Sequence, residues 1–200
     1  MKVSSQIFSL YVERKSRMRK VKGEHVYLRI LQEEDVYRFT QMLIQNRVYW
    51  SLFEPRFSAS YYTVDAQRER IQRSLQQYEK GREYNFGIFE RATDRLVDHL
   101  SLYEVKRLPF SSAFVGYSMD ERFSGKGYAT EAVRLSTRYA FRQLKLHRIE
   151  AYVSPRNTGS IRVLENNYFR REGLLKQLIY INGTWEDHYL YALLESEWYQ

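Results

Sequence analysis

The segment Arg122-Phe123-Ser124-Gly125-Lys126-Gly127-Tyr128-Ala129-Thr130 sets two glycines one residue apart, between a strand-like run and a long helix-like run. Successive backbone N–H groups in such a turn, with the first unpaired N–H groups of the helix, form a cradle for phosphate oxygens. Arg122 and Lys126 would add charge-assisted hydrogen bonds. The segment is neither the G-x-x-x-x-G-K-[ST] phosphate loop nor the G-x-G-x-x-G dinucleotide turn. The same glycines also suit a plain tight turn, so the residues alone leave both readings open. Other chemistry is excluded by what the chain lacks. With no Cys there is no disulfide frame, thiolate nucleophile or Cys-ligated zinc or iron–sulfur centre. The histidines (His25, His99, His147, His188) are widely spaced and form no H-x-x-x-H pair, so no metal site is expected.

The elements that must position this turn follow from the hydrophobic period. Residues 26–30 read as a strand, and Gln32-Glu33-Glu34-Asp35 suits the first turn of a helix reaching about residue 43. Residues 46–62 are aromatic and broken by Pro55, which predicts an irregular connection with one helical turn. A polar surface helix follows over 63–80. Runs at 84–89, 96–103 and 114–119 read as strands of an antiparallel meander. Ala129, Ala132, Val133, Ser136, Ala140 and Leu144 recur at helical spacing over 128–144. Then come a strand at 148–154, a helix at 160–165, and strands at 174–181 and 185–194 around the hairpin signal Asn182-Gly183. This order predicts the α/β class, a mixed sheet with helices on both faces.

A chain of 200 residues that is 44% hydrophobic and 28% charged can close a core. No apolar run approaches the roughly 18 residues of a membrane span, and the first twenty residues lack a signal peptide's pattern. A cytoplasmic protein without membrane or DNA partners is therefore expected, as a monomer or homodimer. The net charge of +8 is uneven: residues 1–22 hold seven basic residues and one acid, leaving only +2 for the rest. The expected organisation is a basic arm at 1–22 and one domain at 23–200. Such an arm suits a polyanion such as RNA, or serves simply as a solubilising tail. Basic residues are mixed with aromatics, yet no strand or loop signature of an RNA-binding module is present.

The glycine turn belongs to a longer pattern. Arg122-x-x-Gly125-x-Gly127 and Tyr128-Ala129-Thr130-Glu131-Ala132 resemble the pyrophosphate motif of the GNAT acetyltransferases. Three further blocks are more specific: His147-Arg148-Ile149-Glu150-Ala151, Pro155-x-Asn157-x-x-Ser160-x-Arg162-Val163-Leu164-Glu165, and Phe169-x-x-Glu172-Gly173. With Asn182-Gly183-x-Trp185-x-Asp187, Tyr191-Ala192-Leu193-Leu194, Asn46-Arg47 and Phe53-Glu54-Pro55, the chain resembles the branch that acetylates N-termini of ribosomal proteins, nearest the alanine type. The resemblance covers about residues 24–198.

It implies the acyl-CoA N-acyltransferase fold, with the sheet splayed between the fourth and fifth strands, and acetyl-CoA as co-substrate. The pantetheine would pair with backbone at Met119, Asp120 and Glu121. The pyrophosphate would rest on Arg122, Ser124, Gly125, Lys126, Gly127, Tyr128 and Ala129. Asn157 would bond the pantetheine arm, cap the following helix, or do both. Ser160 would approach the thioester sulfur and protonate the leaving thiolate.

Without Cys, direct attack by an acceptor amine is the expected route. An α-amine, with pKa about 7.7–8.0, needs far less help to lose its proton near neutrality than a Lys at about 10.4. The first choice of base is Glu104 at the end of the third strand, ahead of Glu150, Asp187 and His188. Trp50 and Phe53, with other aromatics of the connection, either wall the acceptor cleft or cover the core. Two positions depart from the resemblance, since Asp98 and Tyr168 stand where the family has Gly. Asp98 is expected to alter the acceptor cleft. A Tyr in place of a turn Gly is costly unless the backbone has shifted. A small-molecule amine, such as a polyamine or an antibiotic, is the alternative acceptor; a non-catalytic ribosome- or RNA-associated protein on the same fold is the other alternative.

Overall fold

The structure is a computed structural model that describes residues 20–198. Residues 1–19 of the basic arm lie outside the described residues. Eight strands form one sheet: β1 (Val21–Lys22), β2 (Val26–Ile30), β3 (Tyr84–Glu90), β4 (Leu96–Lys106), β5 (Ser112–Met119), β6 (Arg148–Val153), β7 (Arg170–Ile181) and β8 (Thr184–Leu194). Among the described residues four α-helices accompany them: α1 (Val36–Trp50), α2 (Val64–Glu79), α3 (Tyr128–Arg142) and α4 (Thr158–Glu165). The strand order is β1-β2-β3-β4-β5-β6-β8-β7. Val21 and Lys22, assigned by sequence to the arm, pair with Leu28 and Tyr27. The sheet therefore starts inside that arm, and every later strand number rises by one.

All neighbours run antiparallel except β5 and β6. Those two are parallel and pair only over Ser112–Arg148, Ala113–Ile149 and Phe114–Glu150. Beyond Phe114 and Glu150 they part, which is the predicted splay, now between β5 and β6. Because side chains alternate along a strand, the sheet serves a core on each face. Val26, Leu28 and Ile30 join Ala132, Val133, Leu135, Ala140 and Phe141 of α3 and Leu164 of α4. Tyr27 and Leu31 instead join Phe39, Met42, Leu43 and Trp50 of α1 and Ile71 of α2. Among the described residues no helix is long and apolar enough to cross a membrane.

Helix α1 runs to Trp50, well past residue 43. Asn46 lies in this extension, and its side chain is satisfied both within the helix and across the fold. Asn46 Nδ2 donates to the Met42 carbonyl at 2.9 Å, while its Oδ1 accepts from the Glu121 N–H at 3.1 Å. The irregular connection is correspondingly shorter and contains one 3-10 turn, Ala59–Tyr62. Helix α4 begins at Thr158, two residues early, and β7 at Arg170, four residues early. Tyr168 has φ of 67°, so the backbone has not shifted: Tyr occupies the left-handed region that favours glycine.

Candidate active site

Strand β5 ends at Met119, and the chain passes through the 3-10 turn Glu121–Phe123 into the glycine segment and α3. Gly125 and Gly127 have φ of +77° and +80°, and a Cβ on either would meet no atom within 4 Å. Both therefore adopt the conformation glycine is needed for, and they face open space rather than packing. Gly127 is the residue before the first turn of α3, whose unpaired N–H groups lie beside it. These residues fit a phosphate: the cradle would close on the pyrophosphate of a coenzyme A, which supplies an acetyl group as an activated thioester.

The loop is fastened from behind. Asp120 is buried and accepts from the Arg122 backbone N–H at 3.0 Å and from Arg122 Nε at 3.0 and 3.2 Å. Burial opposes ionisation of Asp120, but the bonds from Arg122 outweigh it and hold the carboxyl below its ordinary range. Asp120, placed by sequence among the cofactor contacts, thus shapes the turn through Arg122. Lys126 Nζ lies 4.9 Å above the Phe123 ring. Tyr128 Oη donates to Glu90 Oε1 at 2.6 Å, and Ser124 Oγ lies 3.4 Å from Tyr49 Oη. The backbone expected to receive pantetheine is already engaged from α1: Glu121 N–H binds Asn46, and the Met119 carbonyl accepts from Trp50 Nε1 at 2.9 Å. The unpaired edge between the parted strands instead begins after Phe114.

That edge opens on a cleft of about 620 Å³. It is lined by Tyr117 and Ser118 of β5, His99, Ser101 and Glu104 of β4, Glu83 and Asn85 at the start of β3, and Ser154, Asn157 and Ser160 after β6. Tyr117 Oη donates to the Ser160 carbonyl at 3.1 Å and so links β5 to α4 across the splay. Asn157 Oδ1 accepts from the Ser160 N–H at 3.0 Å, which makes it the N-cap of α4 while it also lines the cleft. Phe53, Glu54 and Pro55 cover part of the opening. They are held there by the tip of the β7–β8 hairpin, where Asn182 Nδ2 donates to the Ser51 carbonyl at 2.8 Å and Asn182 Oδ1 accepts from the Arg56 N–H at 3.0 Å.

Several residues assigned to this region by sequence sit elsewhere. Asp98 is fully enclosed and is not among the residues lining the cleft. Burial pushes its carboxyl well above the ordinary range, and its Oδ2 has no hydrogen-bond partner. Glu150 lies at the closed end of the splay, opposite Phe114, and pairs with Arg148 Nε at 2.9 Å. Arg148 in turn binds Glu172, so this carboxylate belongs to a surface ion-pair group and not to the cleft. Asp187 binds Lys176 Nζ at 2.9 Å and the Gln177 N–H at 2.9 Å, which hold its carboxyl below the usual range. Trp50 is nearly buried and borders a smaller cavity of about 100 Å³ behind the cleft. Phe53, Glu104, His188 and Ser160 do line the cleft. Glu104 is 61% exposed at its side chain and lies 3.8 Å from Lys106 Nζ. His188 is buried, with Nδ1 3.2 Å from the Glu186 carbonyl.

Two titratable groups of the cleft lie outside the residues that the sequence assigns to the site. His99 packs edge-on to Phe39 and against Trp50. Burial, helped by the positive charge of Arg70, lowers its pKa to about 3, so the ring is neutral at physiological pH. Glu54 accepts a hydrogen bond from Ser118 Oγ. Burial raises its pKa, against the opposing pull of Ser118 and Arg70. Asn46 does have a signal: it stands on the apolar stripe Phe39-Leu43-Asn46-Trp50, where a polar residue must find a buried partner.

Comparison with known proteins agrees with this geometry. The family model for an acetyltransferase (GNAT) domain matches residues 25–170. A probable N-acetyltransferase of Bacillus subtilis, YjcK, is 44% identical over 177 residues, covering 88% of this chain and 98% of the relative. The crystal structure of a ribosomal-protein-S5-alanine acetyltransferase from Vibrio fischeri superposes with a TM-score of 0.85 at 28% identity, covering 91% of this chain and all of that one. RimJ of Mycobacterium smegmatis, solved with CoA-disulfide, gives a TM-score of 0.83 at 29% identity over 88% of this chain and 84% of its own. A splayed mixed sheet, a glycine cradle at the splay and a family match across most of the described residues lead to one conclusion: this chain belongs to the GNAT acetyltransferases.

Proposed function

We propose that this enzyme transfers the acetyl group of acetyl-CoA to the N-terminal α-amine of a protein, and that the protein is a ribosomal one. The observation that carries this reading is the likeness to the ribosomal-protein-S5-alanine acetyltransferase of Vibrio fischeri, over 91% of this chain and the whole of the other. The cleft suits such an acceptor. Glu54, Glu83 and Glu104 line it and favour entry of a positively charged α-ammonium.

On this reading Ser124, Gly125, Lys126, Gly127, Tyr128 and Ala129 hold the pyrophosphate by backbone N–H groups, with charge from Lys126 and from Arg122 as oriented by Asp120. Asn157 and the open backbone edge of β5 after Phe114 hold the pantetheine arm. Ser160, lining the cleft from the first turn of α4, delivers the proton that the departing sulfur needs. Backbone N–H groups of the same open edge stabilise charge on the carbonyl oxygen during attack. The basic residues of 1–22 dock on RNA near the acceptor, where a ribosomal N-terminus is surrounded by phosphate.

Incubating the enzyme and labelled acetyl-CoA with ribosomes from cells that lack it, followed by mass spectrometry of the proteins, tests the reading. Label on the N-terminal peptide of a ribosomal protein supports it. Label confined to lysines, or to small amines in an extract, overturns it.

A further inference from the structure

The acceptor amine enters as an ammonium ion and must lose a proton before it can attack. The titratable groups that line the cleft are unequally free to take one. Glu83 Oε1 accepts from Asn85 Nδ2 at 2.6 Å, and Glu104 lies out in solvent beside Lys106. His188 is turned towards the Glu186 carbonyl, and His99 is enclosed between Phe39 and Trp50. Glu54 differs from all of them. It is half-buried where the cleft meets the smaller cavity behind it, and it lines both. One oxygen is held by the Ser118 hydroxyl, and Oε2 has no hydrogen-bond partner among the described residues. Ser118 stands on the part of β5 that has already left β6, opposite His99 in the register with β4. The carboxylate is thus pinned to the strand whose edge is open beyond Phe114, with a free acceptor atom.

From this placement we propose that Glu54 is the catalytic base that deprotonates the acceptor amine, with Ser118 as its positioning residue. The assignment rests on the amine-acetylation reading above. One ammonium proton passes to the Glu54 carboxylate, and the freed nitrogen lone pair forms a C–N bond to the thioester carbonyl carbon. The C–S bond then breaks, and the second proton lost by nitrogen leaves with the sulfur as the thiol. Glu54 returns its proton to water, so each turnover yields one amide, one thiol and one released proton. Glu104, at the exposed end of the cleft, attracts the ammonium without taking its proton.

The charged and titratable groups facing Glu54 are Arg70 from α2, Arg47 from α1, Tyr61 from the 3-10 turn, Asp98 and His99 from β4, and His188 from β8. Arg70 and the Ser118 hydroxyl favour the ionised carboxylate, whereas burial disfavours it. Activity that needs the ionised form is lost as pH falls through this raised pKa.

The test measures kcat and KM across pH with two acceptors, an Ala-terminated peptide and spermidine, for the wild type, Glu54→Gln, Glu104→Gln and Ser118→Ala. Glu54→Gln should lower kcat by about 100-fold, leave acetyl-CoA affinity unchanged and abolish the acid limb of the profile. Ser118→Ala keeps the carboxylate but removes the bond that favours its ionised form, so its acid limb should move to higher pH. That shift also decides the matter should Glu54→Gln fail to fold. Wild-type-like kcat in folded Glu54→Gln, an unmoved limb in Ser118→Ala, or the large kcat loss appearing in Glu104→Gln instead would each overturn the assignment. Activity on spermidine alone would overturn the protein acceptor and leave Glu54 testable on the amine. A wild type inert towards both would overturn the acetyl-transfer reading, and this assignment with it.

Discussion

Trp50 Nε1 donates to the main-chain carbonyl of Met119 at 2.9 Å, which ties the last residue of α1 to the last residue of β5 just before the phosphate loop. One turn earlier, Asn46 takes the Glu121 N–H. Helix α1 therefore holds both sides of the bend that aims the glycine cradle. Replacing Trp50 with Phe keeps an aromatic ring but deletes the donor and part of the packed volume. It should lower stability by roughly 1–3 kcal/mol and raise the KM for acetyl-CoA more than that for the acceptor. Thermal unfolding and initial-rate kinetics check this; a change confined to acceptor KM would show that Trp50 serves the acceptor side.

The cradle itself is tested by replacing Gly125 and Gly127 together with Glu. Both positions have positive φ and face open space, so the new side chains strain the turn and put negative charge where phosphate would lie. Acetyl-CoA affinity by titration calorimetry should fall at least about tenfold in a protein that still unfolds cooperatively. Unchanged affinity would remove the phosphate from this loop.

Asp98 makes a prediction about pH and stability. Its carboxyl is raised well above its ordinary value by burial, so the folded protein binds a proton there that the unfolded chain has already released. Stability from this group is greatest below the unfolded pKa of about 3.9 and is lost as pH rises towards the folded value. Asp98→Asn, which cannot ionise, should raise the melting temperature at pH 7 by several degrees. The advantage should shrink towards pH 4. An advantage that instead grew on acidification would contradict the raised carboxyl.

Tyr168 holds φ of 67° and is 58% exposed. The left-handed conformation costs a non-glycine residue roughly 1–2 kcal/mol, and glycine's extra freedom in the unfolded chain returns part of that. Tyr168→Gly should thus be more stable by somewhat under about 1 kcal/mol, read as a higher melting temperature. A lower one would show that the ring's packing outweighs the backbone strain.

The strands and most helix centres were legible because period and turn chemistry coincide there, as in α3 and at Asn182-Gly183. The glycine turn was legible because few residues other than Gly tolerate those φ values. What escaped depends on chain segments far apart. The end of α1 rests on the bond between Asn46 and Glu121, 75 residues apart, which no local pattern encodes. Glu54 is an isolated carboxylate in an aromatic loop, and only the hairpin tip at Asn182, 131 residues after Ser51, brings that loop over the cleft. Glu150 alternates correctly along β6, but nothing in that alternation shows that Arg148 and Glu172 claim it.

An α-amine and a lysine are told apart as acceptors by a single product analysis. The enzyme is given acetyl-CoA and a peptide with a free N-terminal Ala and one internal Lys, near pH 7, and the product is sequenced by tandem mass spectrometry. Acetyl is expected on the N-terminal nitrogen with the Lys left free, because the α-amine, at pKa about 7.7–8.0, gives up its proton far more readily than Lys at about 10.4. Acetyl on the Lys side chain with a free N-terminus would contradict it.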